Sequence, residues 1–373
     1  MRNVVIAGYA RSPFHLAGKG ALARVRPDDL AAAVVQGLIA RTGVDAAAIE
    51  DLIVGCAFPE GEQGFNVARL IGLIADLPLS VGGMTVNRFC GSSMSAIHYA
   101  AGQIQLGAGE AFIAAGVESM SRVPMMGFNP LPNPALAKKS AAYLGMGDTA
   151  ENVAAKFGIT REAQEGFAVE SQRKAGAAIA AGLLNDEIVP VGGVDADGTP
   201  RPGTTAETLA GLKPAFSATG TVTAGTASPL TDGAAAVLVC SEDYAVANGL
   251  PILARIKSVA ISGCQPEIMG MGPVESSRKA LARAGISVAD LDVVELNEAF
   301  ASQSLACIGE LGLDVAKVNI DGGAIAIGHP LGATGARIVG KAASLLKRTG
   351  GKYALATQCI GGGQGIATVL EAI

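Results

Sequence analysis

Three residues of this chain combine a reactive side chain with a loop suited to present it: Cys90 in "VNRFCGSSMSAI", His329 in "GGAIAIGHPLGATGAR" and Cys359 in "CIGGGQG". Cys90 stands where a Gly- and Ser-rich loop runs into a long stretch without a formal charge. If that stretch is a helix, its unpaired N–H groups and the positive end of its dipole favour thiolate over thiol. His329 precedes Pro330, which suits the first turn of a helix and holds residue 329 extended. A Cys and a His that meet form an activated nucleophile–base pair. Cys359 ends an apolar run, and the glycines after it expose backbone N–H groups that can form an oxyanion-binding nest. A second thiol in a different environment titrates separately from the first and can serve as acid or base. In "VVELNEAFASQ", Asn297 and Glu298 follow a strand directly; Asn297 can orient a water or an oxyanion, and Glu298 can cap the next helix.

The elements that must position these groups follow from hydropathy. Apolar runs such as "NVVIAGY", "DLIVGCAF", "EAFIAAGV", "AAAVLVCS", "ILARIKSVAI", "VVELNEAF" and "KYALATQCI" predict strands, with Ala-rich segments of helical period between them. Alternating β and α elements predict an α/β fold with mainly parallel pairing. The uncharged residues 91 to 107 predict a central helix covered on every side. A weak internal repeat aligns the loop at Cys90, its helix and the strand "AFIAAG" with the loop at His329, its helix and the strand "YALATQ". Packing two such halves together brings the loops face to face. From about 120 to 229 the texture changes to Pro-rich loops, two helices and a turn-rich acidic segment, which predicts an inserted lid. Within it, "DTAENVAAKFG" predicts a helix capped by Asp148 or Thr149, with Glu151 at its positive end and Gly158 ending it.

Composition narrows the function classes. The chain has 373 residues, half of them hydrophobic, enough for two or three packed units. The net charge of -5, with no Lys/Arg run longer than two, argues against a nucleic-acid surface. Six cysteines without a CxxC, and only three histidines, give neither a zinc site nor a disulfide framework. Reduced thiols and an N-terminus that lacks a signal peptide's apolar core lead us to expect a cytoplasmic protein, and no run has the composition of a membrane span. "GGGQGI" misses the dinucleotide-binding spacing.

Taken together and in order, "VNRFCGSSMSAI", "GVESMSRVP", "NEAFASQ", "GGAIAIGHPLGATGAR" and "CIGGGQG" resemble the thiolase family over the whole chain. The resemblance implies a five-layered αβαβα fold of two related halves. These would be 1–119 with 230–251 and 252–373, with 120–229 as a loop domain that holds coenzyme A. It implies acyl transfer through Cys90, activated by His329, with Cys359 moving a proton at the carbon α to the thioester. One oxyanion hole would use Asn297, through a water, and His329; the other, the backbone N–H groups of Cys90 and Gly361. Arg201 would lie against the adenine, Phe216 would line the pantetheine channel, Ser228 would hydrogen-bond the pantetheine, and Met269 and Phe300 would border the acyl site. Coenzyme A enters as a substrate, and no permanent cofactor or metal is expected. Where acetoacetyl-CoA thiolases commonly carry a His before the Met of the "MG" pair, this chain has Gly145, which implies a broader 3-ketoacyl-CoA range. The segment 127–140 is short where some thiolases carry a tetramer-forming arm, so a homodimer is expected over a homotetramer. A β-ketoacyl synthase is disfavoured by the second Cys. A non-catalytic CoA- or lipid-binding relative is disfavoured because Cys90, His329, Asn297 and Cys359 are all present.

Overall fold

A computed structural model describes residues 2–373. Ten strands form: β1 Val4–Arg11, β2 His15–Leu16, β3 Ile49–Gly55, β4 Gly82–Val86, β5 Ala111–Ser119, β6 Thr231–Ser241, β7 Ala254–Gly263, β8 Val293–Leu296, β9 Tyr353–Ile360 and β10 Gln364–Glu371. Hydrogen bonding orders them β4-β3-β5-β6-β1-β7-β10-β9-β8, with β2 beside β6. Read outward from the seam between β1 and β7, the two halves repeat. The pairs β1–β6 and β7–β10 are antiparallel, as are β6–β5 and β10–β9, while β5–β3 and β9–β8 are parallel. In the first half β4 continues the parallel run. In the second, a single parallel bridge between Val294 and Val318 takes its place.

The expectation of mainly parallel pairing is therefore corrected to a mixed sheet. Parallel pairs occur where a helix crosses between neighbouring strands. Antiparallel pairs arise where the chain turns back, as at the "GGG" turn between β9 and β10. There Ile360 faces Gln364, and Gly362 and Gly363 take φ of 80° and 87°, which side chains rarely adopt.

Strand alternation explains the layers. In β1, Val5 and Ala7 pack outward on Leu30, Val34, Val35 and Leu38 of the Pro27–Thr42 helix, while Val4 and Ile6 point inward. In the second half, Leu355, Ala367 and Val369 face the Gly272–Ala284 and Ala301–Leu311 helices, while Ala354, Ala356, Ile366 and Leu370 face inward. Between the two inner faces lie the Ser92–Leu106 and Leu331–Thr349 helices, sharing one core that includes Met94, Ile97, Ile338 and Val339. The five layers αβαβα follow.

Only the second central helix is covered nearly all round. Its residues 331–343 are buried, including Arg337 and Lys341. The first exposes Tyr99 (43%) and Leu106 (81%), so the expectation that 91–107 is wholly covered is corrected. Lack of charge marks a stretch as able to be buried, without saying by what.

The two helices touch at their first turns. A Cβ at Gly335 would lie 2.3 Å from Met94 N, and Ala336 N–H donates to Ser93 Oγ at 2.8 Å. Another contact there is Glu118, at the end of β5. Its buried carboxylate accepts from Ala57 N (2.8 Å), Phe58 N (3.3 Å), Gln63 Nε2 (2.8 Å) and Gly332 N (2.9 Å). The two loops that precede these helices are thus held at one place.

A buried ionic chain ties the excursion to both halves. Arg11 on β1 pairs with Glu187 (2.7 Å) and Asp197 (2.7 Å), and Lys341 with Glu187 (2.9 Å) and Asp321 (2.7 Å). Within the excursion the helix expected at "DTAENVAAKFG" is Met146–Phe157, two residues longer at its start and capped by Gly145 rather than by Asp148 or Thr149. Gly158 ends it in the left-handed conformation, as expected. Glu151 instead receives N–H donors from Thr221 and Val222, both at 2.9 Å.

Candidate active site

The turn that presents Cys90 is tight. Phe89 takes φ of 43°, a left-handed value uncommon for a bulky residue. Two polar neighbours hold it there. Asn87 Oδ1 accepts from Phe89 N at 2.8 Å, and Ser92 Oγ both accepts from Arg88 N (2.9 Å) and donates to Phe89 O (2.6 Å). Gly91 packs closely on what lies opposite: a Cβ there would meet Ile360 Cδ1 at 2.6 Å. The Cys90 loop therefore lies directly on β9, and Gln358 Nε2 donates to the carbonyl of Cys90.

Cys359 ends β9 on the other face, 1% exposed, in an apolar group with Met269, Ala299, Phe300, Ala227, Val222 and Ala150, and with Met146 packed beside it. Burial pushes its thiol well above the ordinary value, and the charge of an ionised Cys90 pushes it further. The two sulfurs, from opposite halves, therefore feel one another. Cys90 is partly exposed. Lost hydration still raises its thiol to about 12, against which the N–H groups of Gly361 and of Cys90 itself pull down. The expectation that the helix terminus holds Cys90 as a thiolate is thus corrected. The helix begins two residues later, at Ser92, and burial prevails.

His329 is 5% exposed, and its N–H donates to Thr231 Oγ1 at 3.1 Å. Gly328 before it has φ of 104°, with Thr231 and Thr199 packed where a Cβ would go. The ring lies between two partners, with Nε2 3.3 Å from Asn297 Nδ2 and Nδ1 2.6 Å from Thr334 Oγ1. Burial, helped by the charge of Arg337, lowers its pKa to about 3, so the imidazole is neutral at physiological pH. Asn297 extends β8 by donating its N–H to Thr357 O at 3.0 Å, and its Oδ1 is buried without a partner among the described residues. Glu298 does not cap the Ala301–Leu311 helix, a correction. It accepts from Ser171 Oγ (2.6 Å), Asn319 Nδ2 (2.8 Å) and Ile325 N (3.1 Å), capping the short Ala324–Ile327 helix that leads to His329.

Of the expected binding residues, Met269 and Phe300 pack in the Cys359 cluster. Phe216, 44% exposed, meets Phe300 edge-on at 5.9 Å. Ser228 donates its N–H (3.0 Å) and hydroxyl (3.1 Å) to Ala299 O. Arg201 lies on an exposed loop anchored by its own N–H to Gln172 Oε1 at 2.8 Å, and no hydrogen bond or ion pair joins it to the cluster among the described residues. Motif reasoning passed over Gln358, Thr334 and Glu118. Each had a signal: a polar residue in an otherwise apolar strand or first helical turn.

A thiol with N–H donors aimed at its sulfur, a neutral imidazole and a second thiol make an arrangement suited to acyl transfer at the meeting of two repeated halves. Comparison with known proteins agrees: residues 4–243 match the N-terminal domain of thiolase and residues 250–372 the C-terminal domain, so the chain belongs to the thiolase family. Over its full length it is 49% identical to a 3-ketoacyl-CoA thiolase of Bacillus subtilis (strain 168) and 50% identical to one of Shewanella baltica (strain OS155 / ATCC BAA-1091), covering 100% of each. The crystal structure of human mitochondrial 3-ketoacyl-CoA thiolase in complex with CoA matches with a TM-score of 0.93 at 38% identity, covering 100% of this chain and 98% of that one. Among the described residues no helix is long and apolar enough to cross a membrane, and no cluster of His, Cys, Asp and Glu is suited to a metal ion.

Proposed function

We propose that this protein cleaves 3-ketoacyl-CoA by thiolysis, releasing acetyl-CoA and an acyl-CoA shortened by two carbons, and runs the reverse condensation at the same site. The observation that carries this is the convergence of Cys90 and Cys359 from opposite halves, with the Gly361 N–H on the Cys90 sulfur. His329 takes the proton of Cys90, and the thiolate attacks the 3-keto carbon. The C2–C3 bond breaks, and the electron pair left on C2 takes the proton of Cys359. Acetyl-CoA leaves and the acyl group stays on Cys90 as a thioester. Incoming coenzyme A gives its thiol proton to the Cys359 thiolate and attacks the acyl carbon. The Cys90 thiolate leaves and recovers its proton from His329. Each tetrahedral oxyanion needs donors in place before it forms. Cys90 N–H with Gly361 N–H supplies one set, and His329 with a water on the unpartnered Asn297 Oδ1 the other.

Coenzyme A enters as a substrate along Phe216, with Ser228 offering its hydroxyl oxygen to a pantetheine amide and Arg201 facing the adenine. Met269 and Phe300 wall the acyl end. We divide the chain as 1–119 with 230–251, 120–229 and 252–373, because β6 returns at Thr231 to pair with β5 and β1.

Met146 stands beside Gly361, its Sδ 3.4 Å from where a Cβ there would lie, while a Cβ at Gly145 would face the Asp148 carboxylate at 2.9 Å. The acyl end is therefore walled by Met146 with Met269 and Phe300, flexible apolar side chains that suit a broad chain-length range. Steady-state kinetics on C4 to C12 3-ketoacyl-CoAs should give kcat/KM values within about tenfold across several lengths, since one methylene in an apolar pocket discriminates only modestly. Strict preference for acetoacetyl-CoA overturns this.

A second copy of the chain covers the outer edge of the first half. β4 ends the strand order, and beside it Phe65 is 94% exposed with φ of 56°, Leu79 79% and Leu106 81% exposed. Such apolar residues at an open strand edge call for a partner. Sedimentation at micromolar concentration should give a homodimer; a monomer overturns the proposal.

A further inference from the structure

The contacts around His329 form a chain from Asn297 through the ring to Thr334 and Pro330. Asn297 Nδ2 stands 3.3 Å from Nε2, Thr334 Oγ1 stands 2.6 Å from Nδ1, and the same Oγ1 is 3.0 Å from the carbonyl of Pro330. A threonine hydroxyl has a single proton. If it goes to Pro330 O, Oγ1 must accept from Nδ1–H, and Nε2 is then a bare lone pair facing the amide N–H of Asn297. Each of the three contacts then has one donor and one acceptor: Asn297 Nδ2 to Nε2, Nδ1 to Oγ1, Oγ1 to Pro330 O. The opposite tautomer sets Nε2–H against the Asn297 NH2 group, two donors facing each other in a buried site, which is unfavourable.

We propose that Thr334 is a positioning residue that locks His329 as the Nδ1–H tautomer and so leaves Nε2 free to take a proton. Its consequence for turnover rests on His329 acting as the base for Cys90, as proposed above. Thr334 reaches the ring because the Leu331–Thr349 helix starts directly after Pro330, and a β-branched residue four positions on bonds back to that carbonyl. Once Nε2 has taken the thiol proton it gives up accepting from Asn297 Nδ2 and donates to the adjoining oxyanion, whose charge supplies the acceptor that the resting site lacks, while the Nδ1 bond stays in place. Because burial keeps the free ring neutral, one nitrogen and only one carries a proton before substrate arrives.

The chain has only three histidines, so selective 15N-histidine labelling gives a spectrum that can be assigned by substituting His15 and His98 singly. In the wild-type protein the His329 signals should be those of a protonated Nδ1 and an unprotonated Nε2. A protonated Nε2 overturns the proposal whatever any variant does. Thr334→Val, close in shape but without the acceptor, should move the ring to the Nε2–H form, and Thr334→Ser should restore it. An unchanged tautomer in Thr334→Val also overturns it. With the same samples, Cys90 alkylation by iodoacetamide, followed by peptide mass spectrometry, and kcat should fall on the order of 10²-fold in Thr334→Val with KM little changed, and recover in Thr334→Ser. If the tautomer moves while alkylation and kcat do not, Thr334 still sets the ring, and it is the assignment of His329 as the base that fails.

Discussion

Mixed with acetyl-CoA, the Cys90→Ala variant should keep its unmodified mass, while Cys359→Ala should gain one acetyl group and then turn over poorly. The two thiols are chemically identical and differ only in surroundings. Cys90 is partly exposed, on a strained turn, with N–H groups of Gly361 and its own backbone directed at its sulfur. Those donors stabilise charge at the place where acyl transfer begins, and alanine has nothing to acylate. Cys359 is sealed among Met269, Phe300 and Ala299 and has only its own N–H as a stabilising donor. It resists ionisation by burial first and by the charge of Cys90 second, so the pair holds at most one thiolate at rest. That suits Cys359 to give a proton to a carbanion and recover it from coenzyme A. Its loss should slow but still permit acylation by acetyl-CoA, since coenzyme A can leave as a thiolate and acyl transfer between thiols needs no proton at carbon. Carbon–carbon cleavage and condensation should slow by about 10²- to 10⁴-fold, the usual contribution of a positioned acid or base. Intact-protein mass spectrometry and thiolysis rates read both effects. Acetylation that persists in Cys90→Ala sinks the assignment, and so does a Cys359→Ala variant with wild-type thiolysis.

The chemistry was legible because its residues sit at element ends, where Gly, Pro and Ser have few alternative explanations. "CGSS", "GHP" and "CIGGG" each stand at the end of a helix or strand, and the repeat predicts that two of those ends meet. Pairing direction was less legible. β5 and β6 are antiparallel because the chain leaves for 120–229 and returns at the same end of the sheet, with Ser119 opposite Asp232, and no local pattern encodes that route. The exposed Tyr99 and Leu106 show the same limit at a surface, since periodicity reports that a face is apolar without naming its cover. Cys90 is instructive in the other direction. A helix start does favour a thiolate, but the size of the burial term depends on how β9 and the two central helices close around the sulfur. That is a property of packing, which also decides what Glu298 caps. Thr334 and Gln358 were visible as polar residues in apolar surroundings, though the partner of Gln358 lies 268 positions away and that of Thr334 in the turn just before it.

Lys341→Met should lower stability by about 3–5 kcal/mol, read as a fall in the urea midpoint, because it strips a shared cation from two buried carboxylates. Lys341 lies in the fully covered central helix, 2.9 Å from Glu187 of the excursion and 2.7 Å from Asp321 of the second half. Burial alone pushes both carboxyls up, yet both end below the ordinary range, Glu187 through Lys341 and Arg11, Asp321 through Arg348 and Lys341. A carboxylate with a depressed folded pKa stabilises the fold above its unfolded value and loses that contribution as pH falls through the folded one. Removing Lys341 relaxes the depression, so the deficit of the variant should be full at neutral pH and shrink as the medium is acidified below about pH 4. A second substitution separates charge from packing. Glu187→Gln on the Lys341→Met background should recover part of the loss, since the amide no longer needs the cation, whereas a pure packing defect is indifferent to it. Wild-type stability in Lys341→Met, or a deficit that does not change between neutral and acid pH, refutes the ionic account. The outcome bears on catalysis because Lys341 sits three turns along the helix that begins at Pro330, next to His329. If this chain of charges anchors the excursion to that helix, Lys341→Met should also raise the KM for coenzyme A, since the residues proposed to bind it, Arg201, Phe216 and Ser228, all lie on the excursion.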